Sequence, residues 1–223
     1  MPKYYDGSET DLVMYEDHMG CDDAVCDAAR VSMNKSADLF TVNQNERLIN
    51  YLAKHNHWSP FAHCTIKMRF KAPIFIARQF VKHQVGFAWN EISRRYVNEE
   101  PSFWMPMDLR NKAENVKQGS SSMAHPASDL YKIDIDTITH NAAELYNEMI
   151  TAGVCPEQAR MILPQNMMTE WIWTGSLYAW SRMYQLRSDS HAQFEARIYA
   201  ELVSKICSKY FPISWRALNE TGQ

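Results

Sequence analysis

The sequence predicts a mixed α/β domain, in the α+β sense, and three observations carry that expectation. Helix signals are many and strand signals few, without the regular alternation of a doubly wound sheet. No Gly-rich phosphate loop, Walker sequence or nucleophile elbow is present, which removes the usual dinucleotide, NTP and hydrolase anchors. Neither an internal repeat nor a linker divides the chain, so residues 1–223 are expected to form one domain with one substantial core.

Residues 1–20 are polar and read as irregular or as an edge strand. Asp22 suits the N-cap of a helix over Ala24–Val31, with an apolar stripe at Val25, Ala28 and Ala29. Residues 34–43 read as a loop. Asn45–Lys54 repeats Leu48, Tyr51 and Leu52 at amphipathic-helix spacing, then stops at His55-Asn56-His57, where Ser59-Pro60 bars continuation. Thr65–Lys71 alternates apolar and charged residues, the pattern of a strand with one wet face. Pro73 occupies a first helical position and opens a helix carrying Arg78, Gln79 and Lys82, in which Arg78 faces with Lys82 and Gln79 with His83.

Pro101 and Pro106 make residues 99–119 a long excursion that an assembly could order, most flexible over 118–126. Ser128 suits the cap of a helix to about Thr151, with Leu130, Ile133, Ile138, Ala142, Leu145 and Met149 as its buried stripe and Gly153 at its end. Pro156–Arg160 starts a short helix that Leu163-Pro164 ends, and Thr169–Thr174 has strand composition. Residues 176–186 read as helix and 187–190 as a turn. A last helix places Phe194, Ile198, Leu202 and Ile206 at steps of four.

Composition narrows the class. Apolar residues make up 46%, with seven Trp and eleven Tyr, which excludes a disordered chain, and the apolar runs fall far short of a bilayer span. A net charge of −3 gives no global attraction to nucleic acid, so positive charge must act locally. Cys21, Cys26, Cys64, Cys155 and Cys207 are scattered without zinc-ligand spacing, and polar residues follow Met1 in place of a signal peptide. Free thiols in a reducing cytoplasm are the expectation.

Four segments concentrate the chemistry. Ala77–Val97 offers Arg78, Gln79, Lys82, His83, Gln84, Asn90, Glu91, Ser93, Arg94 and Arg95, interleaved with Phe80, Phe87, Trp89 and Tyr96. That mixture suits a cleft for a flat anionic ligand, because arginine forks clamp phosphate and aromatic faces border a ring; the alternative is a solvated basic helix. His55, His57 and His63 could contact a metal, but no carboxylate or H-E-x-x-H framing accompanies them, so structural or substrate-contacting roles are preferred. Arg187, Asp189 and His191 fit either a helix C-cap with an ion pair or a ligand site. Glu157 and Arg160, three apart, would by themselves be an ordinary helix pair.

Taken together and in this order, the four segments resemble the signatures of flavin-dependent thymidylate synthase. Lys71–Gln79, Asn90-Glu91 and Ser93-Arg94-Arg95-Tyr96 follow the family's pattern, as do His55–His63, Glu157–Pro164, Leu186–Gln193 and the early Ala28–Ser32. Where the family has Arg-His-Arg, this chain reads Lys82-His83-Gln84. Eight residues separate Gln84 from Ser93, one more than the family's spacing, which predicts a bulge among Val85–Trp89.

The resemblance implies a small, mainly antiparallel sheet flanked by helices, and reductive methylation of dUMP to dTMP. Methylenetetrahydrofolate would give the carbon and FAD, reduced by NADPH, the hydride, with no metal and no attacking cysteine. It places dUMP against Gln79, Lys82, Glu91, Ser93, Arg94, Arg95, Arg160 and Arg187, with Arg187 activating the pyrimidine. It places FAD and folate against His57, Ser59, Lys82, His83, Gln84, Glu91, Ser176 and Arg182, in sites shared within a homotetramer. Lys82 keeps a charge without the fork, Gln84 drops a cation, and Ser176 and Arg182 replace the asparagines common in the family. An altered flavin pocket beside an intact phosphate grip is the expectation. Two alternatives keep the scaffold: a flavin- and folate-dependent pyrimidine hydroxymethylase, and a nucleotide-binding homologue without turnover. A nucleic-acid module built on Arg94 and Arg95 is disfavoured by the acidic balance.

Overall fold

Alternation along two nine-residue strands builds the centre of the structure, a computed structural model describing residues 2–97, 99–113 and 120–220. In chain order the elements are β1 (Lys3–Tyr5), β2 (Val13–Met19), α1 (Asp22–Arg30), α2 (Val42–Lys54), α3 (Ser59–Ala62), β3 (Thr65–Pro73), α4 (Ile74–Phe80), β4 (Phe87–Glu91), β5 (Ser102–Trp104), β6 (Arg110–Lys112), β7 (Ser120–Ala124), α5 (Ser128–Thr151), α6 (Pro156–Ala159), β8 (Met168–Ser176), α7 (Leu177–Ser188), α8 (Phe194–Tyr210) and α9 (Pro212–Glu220).

Strands β3 and β8 pair from Thr65 opposite Ser176 to Pro73 opposite Met168, and the sheet runs β2-β3-β8-β4, antiparallel throughout. Ile66, Met68, Phe70 and Ala72 are buried while Thr65, Lys67, Arg69 and Lys71 between them are half-buried, as a period of two requires. The buried face packs on α7 and α8. Phe70 stacks on Trp171 at 5.0 Å and on Trp180 at 6.0 Å, with Tyr199 at 6.5 Å. Two polar tips inside this aromatic core find backbone acceptors, Trp180 Nε1 donating to the Ile66 carbonyl at 3.1 Å and the Tyr199 hydroxyl to that of Lys71 at 2.9 Å, whereas the buried Nε1 groups of Trp171 and Trp173 have no hydrogen-bond partner among the described residues.

Two small sheets occupy the stretch expected to be an excursion. β5 pairs in parallel with β1, burying Tyr5 and Trp104, and β6 pairs antiparallel with β7. Of the run read as most flexible, Gln118 and Gly119 lie outside the described residues, whereas Ser120–Ala124 is strand.

Several local expectations are corrected by tertiary partners. The N-cap of α1 is Cys21; the Asp22 carboxylate instead accepts from the Ile213 and Ser214 N–H groups, at 3.0 and 2.8 Å, and so caps α9, a helix not anticipated. Helix α2 begins within the expected loop because Thr41 and Gln44 close a reciprocal capping box. Ser128 caps nothing, and its hydroxyl accepts from the Leu109 N–H at 2.9 Å. Helix α4 ends at Phe80, so Lys82 lies in a turn and shares no helical face with Arg78. Strand β4 pairs with β8 without a register shift, so the extra residue is absorbed in the turn before the strand and not as a bulge.

Two apolar stripes also differ. Helix α8 buries Ala196, Tyr199, Ala200, Val203 and Cys207, leaving Phe194 exposed and Ile198, Leu202 and Ile206 half-buried at the margin. Helix α5 buries Ser128, Thr139, Ala143 and Tyr146, while Leu130, Ile133 and Ile138 are 60%, 65% and 64% exposed and Leu145 is exposed beside them. Among the described residues no helix is long and apolar enough to cross a membrane.

Candidate active site

The first group of site residues gathers where β4 leaves the sheet. The Ile92 N–H bonds to the Glu170 carbonyl, and the chain then turns, with the Tyr96 N–H on the Ser93 carbonyl. This turn sets the Ser93 hydroxyl to accept from both the N–H and Nε of Arg95, each at 3.3 Å. Arg95 Nη1 also lies 3.7 Å from Glu157, so Glu157 pairs across the fold and not with Arg160 along its own helix. Glu91 is oriented by the Thr169 hydroxyl at 2.7 Å and Trp89 Nε1 at 3.3 Å. Behind the turn lies a cavity of about 650 Å³ lined by Lys71, Glu91, Arg94, Glu157 and Arg160, among others. Lys3, Lys71, Arg94 and Arg160 alternate there with Glu91, Glu99, Glu157 and Glu170, so the cations can grip a phosphate while the carboxylates accept from hydroxyl or N–H donors of the same ligand.

A second group joins the ends of α4 and α7. Helix α7 runs through Ser188, so Arg187 stands in its last turn and not in the expected connection; Asp189 bonds to His191 and not to Arg187. Arg187 Nε donates to His83 Nε2 at 2.9 Å, and Nη2 reaches the Gln79 carbonyl at 3.5 Å. Burial, then the charges of Arg187 and Arg182, push the His83 pKa down to about 4. The imidazole is therefore neutral near pH 7, with Nε2 as acceptor and the proton on Nδ1. Half-buried and held from one edge, the guanidinium keeps Nη1 clear of both contacts.

This gives a pH prediction. The folded pKa of His83 lies below the ordinary 6.5, so the unfolded chain takes the proton first as pH falls. The stability contributed is intact above about pH 6.5 and lost between there and pH 4. The urea midpoint should fall more steeply across that window in the wild type than in His83→Gln, and equal declines would remove His83 from the account.

A third group borders a cavity of about 430 Å³ lined by Trp58, Val85, Gly86, Ser176, Tyr178 and Arg182 among its walls. Ser176 is the N-cap of α7, accepting from the Ala179 N–H at 3.2 Å, while its own N–H donates to the Gly86 carbonyl at 3.0 Å. Gly86 has φ +82°, and a Cβ there would sit 2.9 Å from the Ala179 Cβ, so the close approach requires glycine. Trp58 and Tyr178 stand 6.0 Å apart at the mouth, and a small cleft beside them is lined by His57 and again by Arg182. Ser59 opens α3 next to Trp58, exposed, as are Lys82 and Gln84 in the turn before β4.

The structure thus brings together Glu91, Ser93, Arg94, Arg95 and Arg160; Gln79, His83 and Arg187; and His57, Ser176 and Arg182. The large basin and the third cavity share no lining residue. Sequence reasoning missed Trp58 and Tyr178 as walls and Glu157 as the partner of Arg95; only Trp58 carried a signal, through its place among the histidines. All five cysteines are free and none lines these cavities. Burial pushes Cys26 up to about 11 and Cys64 up to about 12, and raises Cys207, so these thiols stay protonated.

An antiparallel α/β scaffold with arginine-bearing basins and inert buried thiols defines a protein that would act on an anionic ring compound by positioning and electrostatics. Comparison with known proteins gives the particular family. The profile of the family described as Thymidylate synthase complementing protein matches residues 14–213. The flavin-dependent thymidylate synthase of Ehrlichia ruminantium (strain Gardel) is 38% identical over 216 residues, 94% of this chain and 70% of its own. That of Thermus thermophilus is 36% identical over 209 residues, 94% of this chain and 76% of its own. The UMP/dUMP methylase PolB of Streptomyces cacaoi, solved with 5-Br dUMP, matches with a TM-score of 0.82 at 28% identity, over 92% of this chain and 93% of that one. The chain belongs to the flavin-dependent thymidylate synthase family.

Proposed function

We propose that this protein methylates dUMP to dTMP, taking the carbon from methylenetetrahydrofolate and using FAD reduced by NADPH. The observation that carries the reading is Arg187, held on its Nε edge by a neutral His83 at 2.9 Å. A guanidinium fixed in this way stabilises negative charge building on the pyrimidine carbonyls without reorganising, the largest contribution a protein makes when no side chain attacks the ring. Arg95 with Ser93, and Arg94 and Arg160 beside the basin, take the phosphate, while Glu91 and Gln79 orient the rest of the nucleotide, with Lys82 beside them.

The third cavity fits a flavin. Aromatic walls from Trp58 and Tyr178, the close Gly86 backbone and the Arg182 cation match a flat ring with an anionic tail. Its holders would be His57, Ser59, Ser176 and Arg182, with Lys82, His83, Gln84 and Glu91 completing the site. When bound, the reduced flavin supplies the hydride that finishes the methyl group. The protein excludes water around it and aligns the nucleotide.

Residues 1–223 act as one domain in this reading, and the chain self-associates as a homotetramer in the cytoplasm. Support comes from the exposed apolar stripe of α5, Leu130, Ile133, Ile138 and Leu145, a surface of the kind that subunit contacts cover. Support comes also from site residues divided between separate cavities, which neighbouring subunits would join.

Incubation with FAD, NADPH, methylenetetrahydrofolate and dUMP, followed by mass analysis of the nucleotide, tests the activity: dTMP is expected. A hydroxymethylated product or unchanged dUMP would overturn it. Arg95→Ala should raise the KM for dUMP by about 10- to 100-fold, the loss of charge-assisted hydrogen bonds. Unchanged affinity would remove Arg95 from the phosphate grip.

A further inference from the structure

We propose that Glu195 fixes the hydrogen-bonding sense of Gln79, so that Gln79 turns its side-chain carbonyl oxygen toward an N–H or O–H donor of the bound nucleotide. The inference rests on the reading of Gln79 as a nucleotide contact.

A relay of four residues from distant parts of the chain carries it. Arg110 of β6 donates through Nη2 to Glu195 Oε1 at 2.7 Å, and Glu195, at the start of α8, is only 6% exposed. Its other oxygen, Oε2, accepts from Gln193 Nε2 at 2.9 Å. Gln193 Oε1 in turn accepts from Gln79 Nε2. The backbone carbonyl of the same Gln79 faces Arg187 Nη2.

The two ends of a primary amide have nearly the same shape, so an isolated pair of glutamines bonds equally well in either sense. A charged terminus removes that freedom. A guanidinium only donates and the carboxylate paired with it only accepts, so the Gln193 amide nitrogen must face Glu195. Its oxygen must then face Gln79, and the Gln79 nitrogen must face Gln193. The Gln79 oxygen is left on the other prong, away from the relay. Reversing the amides would set a carbonyl oxygen against the buried carboxylate, leaving two acceptors without a proton between them. Glu195 is thus a positioning residue, acting on the nucleotide through two amides and held by a cation from the β6–β7 hairpin.

The test uses the FAD-loaded protein and titration with dUMP, followed by flavin absorbance, alongside steady-state kinetics. Glu195→Gln and Gln193→Met should each raise the Kd and KM for dUMP by about 5- to 10-fold, the worth of one neutral hydrogen bond. The loss should fall on these constants more than on kcat. Gln193→Met leaves the Arg110–Glu195 pair intact, so its thermal midpoint and flavin content should match the wild type, and Glu195→Asp should recover part of the affinity. A Gln193→Met protein that binds dUMP as tightly as the wild type would overturn the inference, as would losses of flavin and thermal stability in proportion to the loss of dUMP. A wild-type protein that takes up no dUMP would instead sink the nucleotide reading of Gln79, and the inference with it.

Discussion

Replacement of Arg187 by alanine should lower the turnover of dUMP by about 10²- to 10³-fold, the usual cost of removing a preorganised donor from developing oxyanion charge. The size follows from how the side chain is held. Its Nε edge is fixed on His83, its Nη2 leans on the Gln79 carbonyl, and half of it is withdrawn from water. Burial lowers its pKa, but an arginine starts so high that it remains cationic, so the charge survives where a lysine could lose its own. Arg187→Lys should therefore recover only part of the rate, because one ammonium cannot meet His83 and the pyrimidine as a planar fork does. The check is kcat at saturating dUMP with flavin content measured in the same sample. A loss confined to KM would make Arg187 a binding group only.

Phe70→Ala should destabilise the fold by about 3–5 kcal/mol, the range for deleting a fully buried aromatic ring. Phe70 lies at the point where β3, β8, α4, α7 and α8 meet. It stacks on Trp171 and Trp180, meets Trp173 and Phe80 edge-on, and lies near Tyr199. Rings of this size cannot collapse into the gap, since each is wedged by its neighbours, so most of the cavity would remain. Total stability of a domain is about 5–15 kcal/mol, so the variant should be near its threshold at 37 °C. Urea unfolding followed by tryptophan fluorescence gives the value. A cost below about 1.5 kcal/mol would mean that the aromatic layer repacks.

The central strands were legible because their pattern is local. Ile66, Met68 and Phe70 alternate with Lys67 and Arg69, and Trp171 and Trp173 alternate across β8, so each strand states its own buried face. Boundaries were less so. Asp22 has the composition of an N-cap for the helix it opens, yet it serves a helix that lies at the other end of the sequence, and no spacing rule reports that. Helix α5 displays its apolar stripe at the right period, but a period does not say what a stripe faces, and Leu130, Ile133 and Ile138 are exposed. At the site, the motifs singled out His83, Arg95 and Arg187, and the structure bonds His83 to Arg187 and sets Arg95 against Ser93. The bond between His83 and Arg187 spans 104 positions and that between Gln79 and Gln193 spans 114, so pairings were beyond any reading of neighbours. Lys82 was misplaced because α4 stops without a glycine or proline to mark its end.

The Asp22 cap has a consequence for biosynthesis. Its two acceptor bonds reach Ile213 and Ser214 across 191 and 192 positions, so during synthesis the Asp22 carboxylate waits for that whole intervening stretch before it is matched. Nascent chains halted before Pro212–Glu220 should therefore pack α1 on α2 and α3 yet leave the Asp22 carboxylate unmatched and the side of α2 that meets α9 open, so chaperones should hold them until that helix is made.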